Sequence, residues 1–451
     1  MNIELLKCNE DAKAVCDIIE NRGFCAYCVG GCVRDALMGV LSSDVDITSS
    51  AQPQDIVSIF SDIGCKVIET GIAHGTVTVI YNGNSYEITT MRCEGGYKDI
   101  RHPDSVYFVD DIKKDLARRD FTVNAMAYSF SEDRVIDLFG GLNDLDNKII
   151  RCVGDPSVRF SKDALRILRA LRFLSKLSFD IESNTLDAMN RQKENIKFLS
   201  SERIKHELDG ILLGENAAYV LLTYVDIIGV IIPEMLKCRG FDQHSRYHTY
   251  DVYEHICKTV RNTPASLHLR YAALFHDIAK PDTFFADEHG EGHFWGHAQK
   301  SADTALDVMR RLKFDSATMQ RVFTLVRHHD SPPPKEVNLI KKRINKLGDD
   351  MFYDLLTLAS ADCMAQSDDL RYRLDTYKDV EMTARDILAR RECVEVKSLC
   401  ISGDDIILLG VRQGPVIGEI LDHLLSEVMD GRIENEKSIL LEAAKTYLSK
   451  K

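Results

Sequence analysis

Residues 28–49, CVGGCVRDALMGVLSSDVDITS, decide the fold of the first part of the chain. A short apolar segment is followed by Gly30 and Gly31 and then by a segment with helical spacing. A second apolar segment carries Asp44 and Asp46, two residues apart. The order strand, glycine turn, helix and strand predicts an α/β unit in which a glycine turn lies beside paired carboxylates.

The two aspartates are expected to share one face of a strand, because side chains at i and i+2 of a strand point the same way. Val45 and Ile47 then face the other side. Two neighbouring carboxylates repel unless a cation neutralises them, and Mg²⁺ prefers such oxygen ligands. Two such ions can activate an attacking oxygen and stabilise a leaving pyrophosphate. An isolated Asp-x-Asp pair is usually a solvated edge, so it is the whole stretch that favours a metal–nucleotide site.

The glycine pair fits the same interpretation. Without Cβ atoms, Gly30 and Gly31 let the backbone approach a phosphate, and the following helix N-terminus favours an anion. Arg34 lies one turn into that helix and is expected to reach the same phosphates. The candidate third metal-binding carboxylate is Glu87, on a predicted neighbouring strand.

Composition bounds the class of protein. The chain has 451 residues, a net charge of −13 and 13 cysteines. The length predicts two to four domains, and the acidic charge weakly disfavours nucleic acid, although local patches decide such binding. No apolar signal segment and no run of eighteen apolar residues occurs, so we expect a cytoplasmic protein with no membrane span and with reduced thiols. A metal trio of Cys25, Cys28 and Cys32 is disfavoured, because no second cysteine pair completes a zinc set.

The chain changes character near residue 150, which predicts a multidomain α+β protein. Strand-like segments precede that point, and long segments with helical spacing follow it. The predicted strands are 25–29, 45–48, 76–81 and 85–90, with a hairpin at 82–84. The predicted helices are 34–39, 52–61, 162–176, 201–213, 301–312 and 381–391.

The predicted helix over 162–176 carries Asp163, Arg166, Arg169 and Arg172 at a spacing of three. This charged row spirals slowly around the helix, while a parallel row of leucines packs on the other side. A carboxylate accepts from an exocyclic amine, and a guanidinium donates to ring nitrogens, carbonyls and phosphates. Cytosine and adenine both offer an amine beside a ring acceptor, so an Asp–Arg pair suits CTP and ATP and rejects UTP and GTP. The alternative is a surface helix with salt links at i,i+3.

Three segments in order carry a resemblance to a known family. They are VGGCVRDALMG with SSDVDITS, RRDFTVNAMAY at 118–128, and RFSKDALRILRALRF at 159–173. This set resembles the class II tRNA nucleotidyltransferases, within the DNA polymerase β-like superfamily, over residues 25–235. The resemblance implies a polymerase β-like head with a small mixed sheet, followed by a helical body.

The resemblance also implies functions for individual residues. Asp44 and Asp46 would be catalytic and hold Mg²⁺, and Asp163 with Arg166 would select the base. Arg119 would meet the triphosphate and Asp120 a ribose hydroxyl, and the partner would be tRNA. The family usually has Glu where Lys162 stands here. The full predicted nucleotide-binding set is Gly30, Gly31, Arg34, Arg119, Asp120, Asp163, Arg166, Arg169 and Arg172.

The same family includes poly(A) polymerases and enzymes that add only CC or only A. Residues 70–79, TGIAHGTVTV, resemble the CCA-adding branch. Residues 92–103, RCEGGYKDIRHP, resemble the flexible loop that switches selection from C to A, which disfavours a CC-only enzyme. Full CCA addition and A addition both remain open. Deleting 93–100 is expected to spare C addition and abolish A addition.

Two basic clusters are candidate tRNA surfaces, because a polyanion needs basic surface locally. The first comprises Arg310, Arg311 and Lys313, and the second Lys341, Lys342, Arg343 and Lys346. The alternative for both is an ordinary solvated helix face.

Histidines and aspartates in the helical body suggest a second site. Their order resembles the HD phosphohydrolase domain, beginning from the segment YAALFHDIAKP at 271–281. Imidazoles with carboxylates suit one or two transition-metal ions. The expected ligands are His255, His276, Asp277, His297, His328, His329 and Asp362. The alternative is a scaffold kept only as structure.

The predicted division is a catalytic head over 1–150, a helical neck over 151–240, an HD domain over 241–380 and a helical tail over 381–451. The principal hypothesis is template-independent CCA addition to tRNA from CTP and ATP. The alternatives are an A-adding enzyme and a metal phosphohydrolase whose head binds RNA. The intact Asp44 and Asp46 disfavour a non-catalytic RNA-binding protein. No oligomeric state is predicted.

Overall fold

The computed structural model describes residues 3–42, 44–72, 75–94, 106–245, 247–390, 392 and 394–449. The chain divides into two compact units, Met1–Asn216 with Asp226–Ile231, and Ala217–Val225 with Ile232–Lys451. The predicted four-part division stays a prediction. Within the described ranges, no helix has the length and apolar character needed to cross a bilayer.

The first unit is built on a seven-stranded mixed sheet. Its strands are β1 Ala26–Val29, β2 Val45–Ser49, β3 Lys66–Ile68, β4 Thr76–Tyr81, β5 Asn84–Thr90, β8 Met126–Ser129 and β9 Arg134–Asp137. Two short pairs lie outside it, β6 Arg92–Glu94 with β7 Val106–Phe108, and β10 Ile149–Ile150 with β11 Asp180–Ile181. The strand order is β3-β4-β5-β2-β1-β8-β9, and only β2 and β5 are parallel. This confirms the predicted α+β class and the small mixed sheet of the head.

The four predicted strands are confirmed, and so is the hairpin between β4 and β5. Asn82 and Gly83 both have positive φ, which is what a tight two-residue hairpin turn requires. The helices of this unit are α1 Glu4–Lys7, α2 Glu10–Glu20, α3 Gly31–Leu37, α4 Pro53–Asp62, α5 Ile112–Ala117, α6 Gly141–Asp146, α7 Pro156–Lys162, α8 Leu165–Leu177, α9 Ser183–Gln192 and α10 Ser201–Leu213.

The prediction of one helix over 162–176 is wrong. Helix α7 ends at Lys162 and α8 begins at Leu165, and Asp163 between them is extended, with φ −148° and ψ 101°. The Oδ1 atom of Asp163 accepts a hydrogen bond from the backbone N–H of Leu165 at 3.1 Å. Short acidic side chains compete for backbone groups in this way and favour helix ends over helix interiors. Asp163 therefore does not lie on the helix that carries the three arginines.

The second unit is mainly helical. Helix α11 is Ala217–Thr223, and α12, Val225–Ile231, falls in the first unit except for its first residue. The remaining helices are α13 Val252–Asn262, α14 Leu267–Phe275, α15 His297–Arg311, α16 Ser316–His328, α17 Val337–Leu347, α18 Asp349–Ala365, α19 Tyr372–Ala389, α20 Gly403–Leu408, α21 Pro415–Met429 and α22 Lys437–Ser449. A short antiparallel hairpin, β12 Phe285–Ala286 with β13 Gly292–His293, corrects the expectation of an all-helical body.

Two of the predicted segments fall partly outside the described residues. The C-to-A switching loop over 92–103 is described only as far as residue 94, and the segment 70–79 lacks residues 73 and 74. The inferences drawn from these two segments stay predictions.

Candidate active site and candidate metal centre

The first unit contains a cavity of about 770 Å³ that is lined by all nine predicted nucleotide-binding residues. Those that line it are Gly30, Gly31, Arg34, Arg119, Asp120, Asp163, Arg166, Arg169 and Arg172, together with the predicted metal ligand Asp46. Further lining residues not predicted from the sequence are Asn124, Phe173, Lys176 and Arg203. Arg118, which is not one of the predicted nucleotide-binding residues, also lines the cavity.

The glycine turn brings backbone and guanidinium close together. Gly30 has φ +78°, and a Cβ atom there would lie 2.8 Å from Nη1 of Arg119. Helix α3 begins at the next residue, so its N-terminus opens beside this turn. The Nε atom of Arg119 is buried without a hydrogen-bond partner. Burial lowers the pKa of Arg119, opposed by Asp115, Asp120 and Asp46.

Arg34 is held rigidly at the floor of the cavity. It is 4% exposed, its Nη1 donates to Oδ1 of Asn124 at 2.6 Å, and its Nε and Nη2 donate to Oδ1 of Asp35 at 2.9 and 2.6 Å. Asn124 was not predicted as a cavity residue. The sequence signal that could have identified it is its place in the segment RRDFTVNAMAY, which also contains Arg119 and Asp120.

The predicted metal carboxylates lie at the start of β2. Asp46 is exposed on the strand between buried Val45 and Ile47, as predicted, and Asp44 is exposed just before it. Asp46 is paired in parallel register with Glu87 on β5. Although the residue is exposed, the surrounding protein atoms partly desolvate the carboxylate, and this desolvation raises the pKa of Asp46. Arg119 opposes the rise, and the neighbouring carboxylates of Glu87 and Asp44 add to it. Mutual repulsion of this kind marks a place where a cation is favoured.

The base-selecting pair predicted from sequence has a different arrangement. Oδ2 of Asp163 accepts from Nη2 of Arg203, on α10, at 3.0 Å. Arg166, on α8, donates instead to the backbone carbonyls of Arg119 at 3.1 Å and Arg118 at 2.9 Å. Asp163 and Arg166 therefore share the cavity but are each fixed by a different partner.

Asp120 and Arg169 form the most closely bonded ion pair of the cavity wall. Nε and Nη2 of Arg169 approach Oδ2 of Asp120 at 2.7 and 2.6 Å, and the N–H of Phe121 donates to Oδ1 at 2.8 Å. Burial alone would raise the pKa of Asp120, but Arg169 and the Phe121 N–H outweigh it and the pKa is lowered. The carboxylate stays charged while buried.

Phe173 on α8 organises three guanidiniums. Arg34, Arg169 and Arg172 each place Cζ 5.4 to 5.5 Å from its ring centroid. Nε of Arg172 also lies 3.3 Å from buried Glu207. The aromatic face partly offsets the repulsion among these cations.

In the second unit, four imidazoles surround Asp277. Nε2 of His255 and Nε2 of His276 are 3.1 Å apart, and they lie 3.3 and 3.2 Å from Oδ2 of Asp277. Nε2 of His297 and Nε2 of His329 are 3.3 Å apart, and they lie 3.3 and 3.5 Å from Oδ1. Among the described residues these are the two sets of three ligand atoms close enough to share an ion, and Asp277 belongs to both.

The tautomers follow from the backbone. Nδ1 of each of these imidazoles lies 2.6 to 3.3 Å from a backbone carbonyl oxygen, which accepts its proton. The four carbonyls belong to Ala365, Ala273, Phe294 and Val326. The Nε2 atoms then carry lone pairs, as in histidine metal sites.

The carboxylates of this cluster call for a cation. Oδ1 of Asp277 and Oδ1 of Asp362 are buried without a hydrogen-bond donor, although Asp362 lies 2.9 Å from His255. Burial would lower the pKa of His255, but Asp277 and Asp362 raise it, because the two carboxylates favour positive charge at this position. Nζ of Lys280 lies 2.7 Å from Oδ2 of Asp277 and supplies part of the positive charge.

His328 does not belong to the cluster, which corrects the predicted ligand set. It is adjacent to His329 in sequence but is absent from both sets of ligand atoms, and it lines a small pocket with Pro333 and Arg343 on the other side of His329's helix end. Successive residues of a helix point about 100° apart, so one of the two must face away.

The predicted basic clusters are largely paired. Arg310 and Arg311 bind Asp307 and Glu234, and Lys341 and Lys342 bind Glu392 and Asp430. Arg343 donates to the carbonyls of Pro332 and Ser331. Their role towards tRNA stays a prediction.

Three families match parts of the chain. Residues 26–151 match "Poly A polymerase head domain", residues 178–238 match "Probable RNA and SrmB- binding site of polymerase A", and residues 294–444 match "tRNA nucleotidyltransferase domain 2 putative".

Full-length relatives are also found. The CCA-adding enzyme of Limosilactobacillus fermentum is 33% identical over 446 residues, which covers 98% of each chain. That of Ligilactobacillus salivarius is 33% identical over 462 residues, covering 98% of this chain and 97% of the relative. The crystal structure of Bacillus stearothermophilus CCA-adding enzyme in complex with CTP is 26% identical, with a TM-score of 0.71 and 98% coverage of both chains.

Proposed function

The chain belongs to the family of CCA-adding enzymes, and from this premise we propose that its head cavity adds C, C and A to the 3′ end of tRNA from CTP and ATP without a template. The observation that carries the proposal is the convergence of the glycine turn, Asp46 and the Asp163 and Arg166 pair on one cavity. Cytoplasmic tRNA as substrate agrees with twelve described cysteines that are all free thiols.

We assign the metal site to Asp44 and Asp46, with Glu87 as third carboxylate. Their repulsion and the raised pKa of Asp46 fit a hard divalent cation such as Mg²⁺. Such an ion supplies activation of the tRNA 3′ hydroxyl and charge stabilisation at the leaving pyrophosphate. The carboxylates themselves orient the 3′ end of the tRNA at the first residues of β2.

The triphosphate belongs at the glycine turn. Gly30 leaves room for the Arg119 guanidinium, whose buried Nε lacks a partner, and Arg34 stands fixed behind it. A phosphate there meets backbone N–H groups, a helix N-terminus and prearranged guanidiniums, which lowers the reorganisation needed on binding.

Base selection is assigned to Asp163, with Arg166 beside it. The free lone pairs of the Asp163 carboxylate accept from the exocyclic amine of cytosine or adenine. Uracil and guanine present a carbonyl at that place and are repelled. Arg203 acts as a positioning residue, because its 3.0 Å bond to Oδ2 fixes the carboxylate. The Asp120 and Arg169 pair borders the ribose.

The test uses tRNA lacking its CCA end with labelled CTP, ATP or both. Asp46→Asn is expected to lower incorporation by about 10³-fold or more, because a metal ligand is lost. The matched control is Asp62→Asn, an exposed carboxylate of the head paired with Arg22. Unchanged incorporation in Asp46→Asn contradicts the assignment, and ATP labelling only of tRNA that already ends in CC identifies an A-adding enzyme.

A second function, metal-dependent phosphohydrolysis, is favoured by the two buried carboxylate oxygens of Asp277 and Asp362 that lack donors. The residues that would hold one or two transition-metal ions are His255, His276, Asp277, Asp362, His297 and His329. Such ions supply Lewis-acid activation of water. The protein contributes fixed tautomers and a carboxylate shared between the two sets.

The test is hydrolysis of a 2′,3′-cyclic phosphate by a His276→Ala and Asp277→Ala double variant. We expect complete loss of activity. The control is His328→Ala, which alters a neighbouring imidazole that lies outside the cluster. Hydrolysis unchanged in the double variant removes the cluster from consideration.

A further inference from the structure

A cavity of about 360 Å³ opens directly onto the histidine cluster. Asp277, His297, His329 and Asp362 line one side of it, and Lys280 and Trp295 line it as well. This volume lies within the range of about 300–1,000 Å³ that small-molecule sites occupy. The cavity therefore has room for a ligand larger than inorganic phosphate.

Trp295 is the only tryptophan in the chain and is 78% exposed. Its ring stacks on Phe285 with centroids 5.9 Å apart and an interplanar angle of 24°. His293 lies 5.8 Å from it at 33°. Phe285 is itself 54% exposed. We call these three residues the aromatic shelf. Single exposed apolar residues are ordinary, but here Trp295 and His293 line a polar cavity and Phe285 stacks on the same indole.

The backbone fixes the shelf beside the metal ligands. Phe285 and His293 are opposite each other in the β12–β13 hairpin. Nε2 of His293 lies 2.9 Å from Oδ2 of Asp287, which braces the hairpin. Only Gly296, in the left-handed conformation at φ +78°, separates Trp295 from His297 at the start of α15. The shelf and the ligand are thus parts of one short segment.

The wall of the cavity is polar as well as aromatic. His248, Lys280, Asp330 and Gln366 line it beside Trp295. A nucleotide, which combines an apolar base face with a polar sugar and phosphate, matches a wall of this composition.

We propose that the aromatic shelf stacks the base of a nucleotide whose phosphate reaches Asp277 and His297. The phosphate half of this inference rests on the metal centre proposed above, whereas the base half rests on the shelf alone. The substrate class is a nucleotide phosphate, either free or at the 3′ end of an RNA. Indole faces stack on any base, so the site discriminates nucleotides from other phosphates and does not select among bases.

The single tryptophan makes the shelf directly observable. In the full-length protein, AMP is expected to quench tryptophan emission, whereas ribose 5-phosphate, which lacks a base, is not. Nucleotide bound in the head is silent in this measurement, because the head has no tryptophan. Emission that AMP leaves unchanged, or that ribose 5-phosphate quenches equally, overturns the proposal. A short RNA with a 3′-phosphate, titrated in parallel, shows which source of nucleotide binds more tightly.

The second readout is kinetic. Trp295→Ala is expected to raise KM for 2′,3′-cyclic AMP by about 5- to 100-fold, with kcat retained, and Trp295→Phe is expected to restore most of the loss. The control is Phe198→Ala, an exposed aromatic outside this cavity. An unchanged KM in Trp295→Ala overturns the proposal. If AMP quenches emission but no cyclic phosphate is hydrolysed, the phosphohydrolase proposal is refuted, whereas the proposal of a base-binding site is supported.

Discussion

The head cavity and the histidine cluster both gather ionisable side chains, but they do so in opposite ways. Among the described residues, eight cationic side chains and three carboxylates line the head cavity. Many of these cations already have a carboxylate, carbonyl or aromatic partner. In the cluster, four imidazoles and Asp277 lie buried, and the Nε2 atom of each imidazole lies within 3.5 Å of an oxygen of Asp277.

The difference indicates what each site receives. An open cavity with an excess of fixed guanidiniums attracts a diffusible anion such as a triphosphate, which can enter from solvent and leave again. Facing lone pairs around a buried carboxylate are matched by a resident cation, which relieves the repulsion that Lys280 offsets only in part. The head cavity is therefore suited to binding and releasing an anionic substrate, and the cluster itself is suited to retaining an ion at the wall of the second cavity.

The largest expected effect tests retention. Mn²⁺ at one hundred times its Kd is expected to stabilise the native state by about 2.7 kcal/mol, because it binds the folded cluster and not the unfolded chain. Asp277→Asn removes the carboxylate shared by both ligand sets and is expected to abolish this shift. The measurement is the urea midpoint of the full chain with and without Mn²⁺, in excess Mg²⁺ throughout so that the carboxylates of the head are already occupied.

The same variant separates the two sites. Asp277→Asn is expected to leave CCA addition unchanged, since no head residue contributes to the cluster. A Mn²⁺ shift that survives in Asp277→Asn would place the responsible ions elsewhere, and the contrast between the two sites would lose its basis.

The two sites also differ in how far the sequence predicts them. Six of the seven cluster residues named from sequence converge, because histidine and aspartate in such an order have few other uses. The prediction of His328 as a metal ligand was wrong, because adjacency in sequence does not reveal which of two neighbouring helix positions faces the cluster. In the head, the sequence predicted four of the seven strands of the sheet, the glycine turn and nine of the residues that line the cavity as nucleotide-binding residues.

The sequence did not predict the hydrogen-bond partners of the side chains that line the head cavity. Periodicity alone extended a helix through Asp163, whereas the side chain caps the next helix and ends the pattern there. Arg203 is forty residues further along the chain, so its bond to Asp163 depends on how α8 packs on α10. Long-range pairing of this kind has no local signal.

The next largest effect tests whether Arg169 keeps the buried carboxylate of Asp120 charged. Asp120→Asn is expected to cost about 2 kcal/mol at neutral pH, because the hydrogen bonds to a buried charged group are lost. The folded pKa of Asp120 lies below its unfolded value of about 3.9. Its stabilisation is therefore present above about pH 4 and lost as the pH falls through the folded pKa. Urea titrations at a series of pH values measure the difference between wild type and variant, which should shrink in acid.

Glu207→Gln is the matched control for Asp120→Asn. Burial raises the pKa of Glu207, with Arg172 opposing it, so the linkage has the opposite sign. Its contribution is present below the unfolded pKa and lost as the pH rises through the folded pKa. If both variants showed the same pH trend, the Arg169 partner could not be what keeps Asp120 charged.

The smallest effect tests the glycine turn. Gly30→Ala and Gly23→Ala both place a side chain at positive φ, +78° and +87°, so each should cost about 1–2 kcal/mol. Only at Gly30 does the new Cβ meet an obstacle, Nη1 of Arg119 at 2.8 Å, and nothing lies within 4 Å at Gly23. The end of a flexible arginine moves readily, so the free energies of unfolding of the two variants should lie within about 1 kcal/mol of each other.

The displaced guanidinium is nevertheless one that meets the triphosphate, so KM for CTP should rise about tenfold in Gly30→Ala and stay unchanged in Gly23→Ala. Equal KM values in the two variants would show that Arg119 does not depend on the turn for its position.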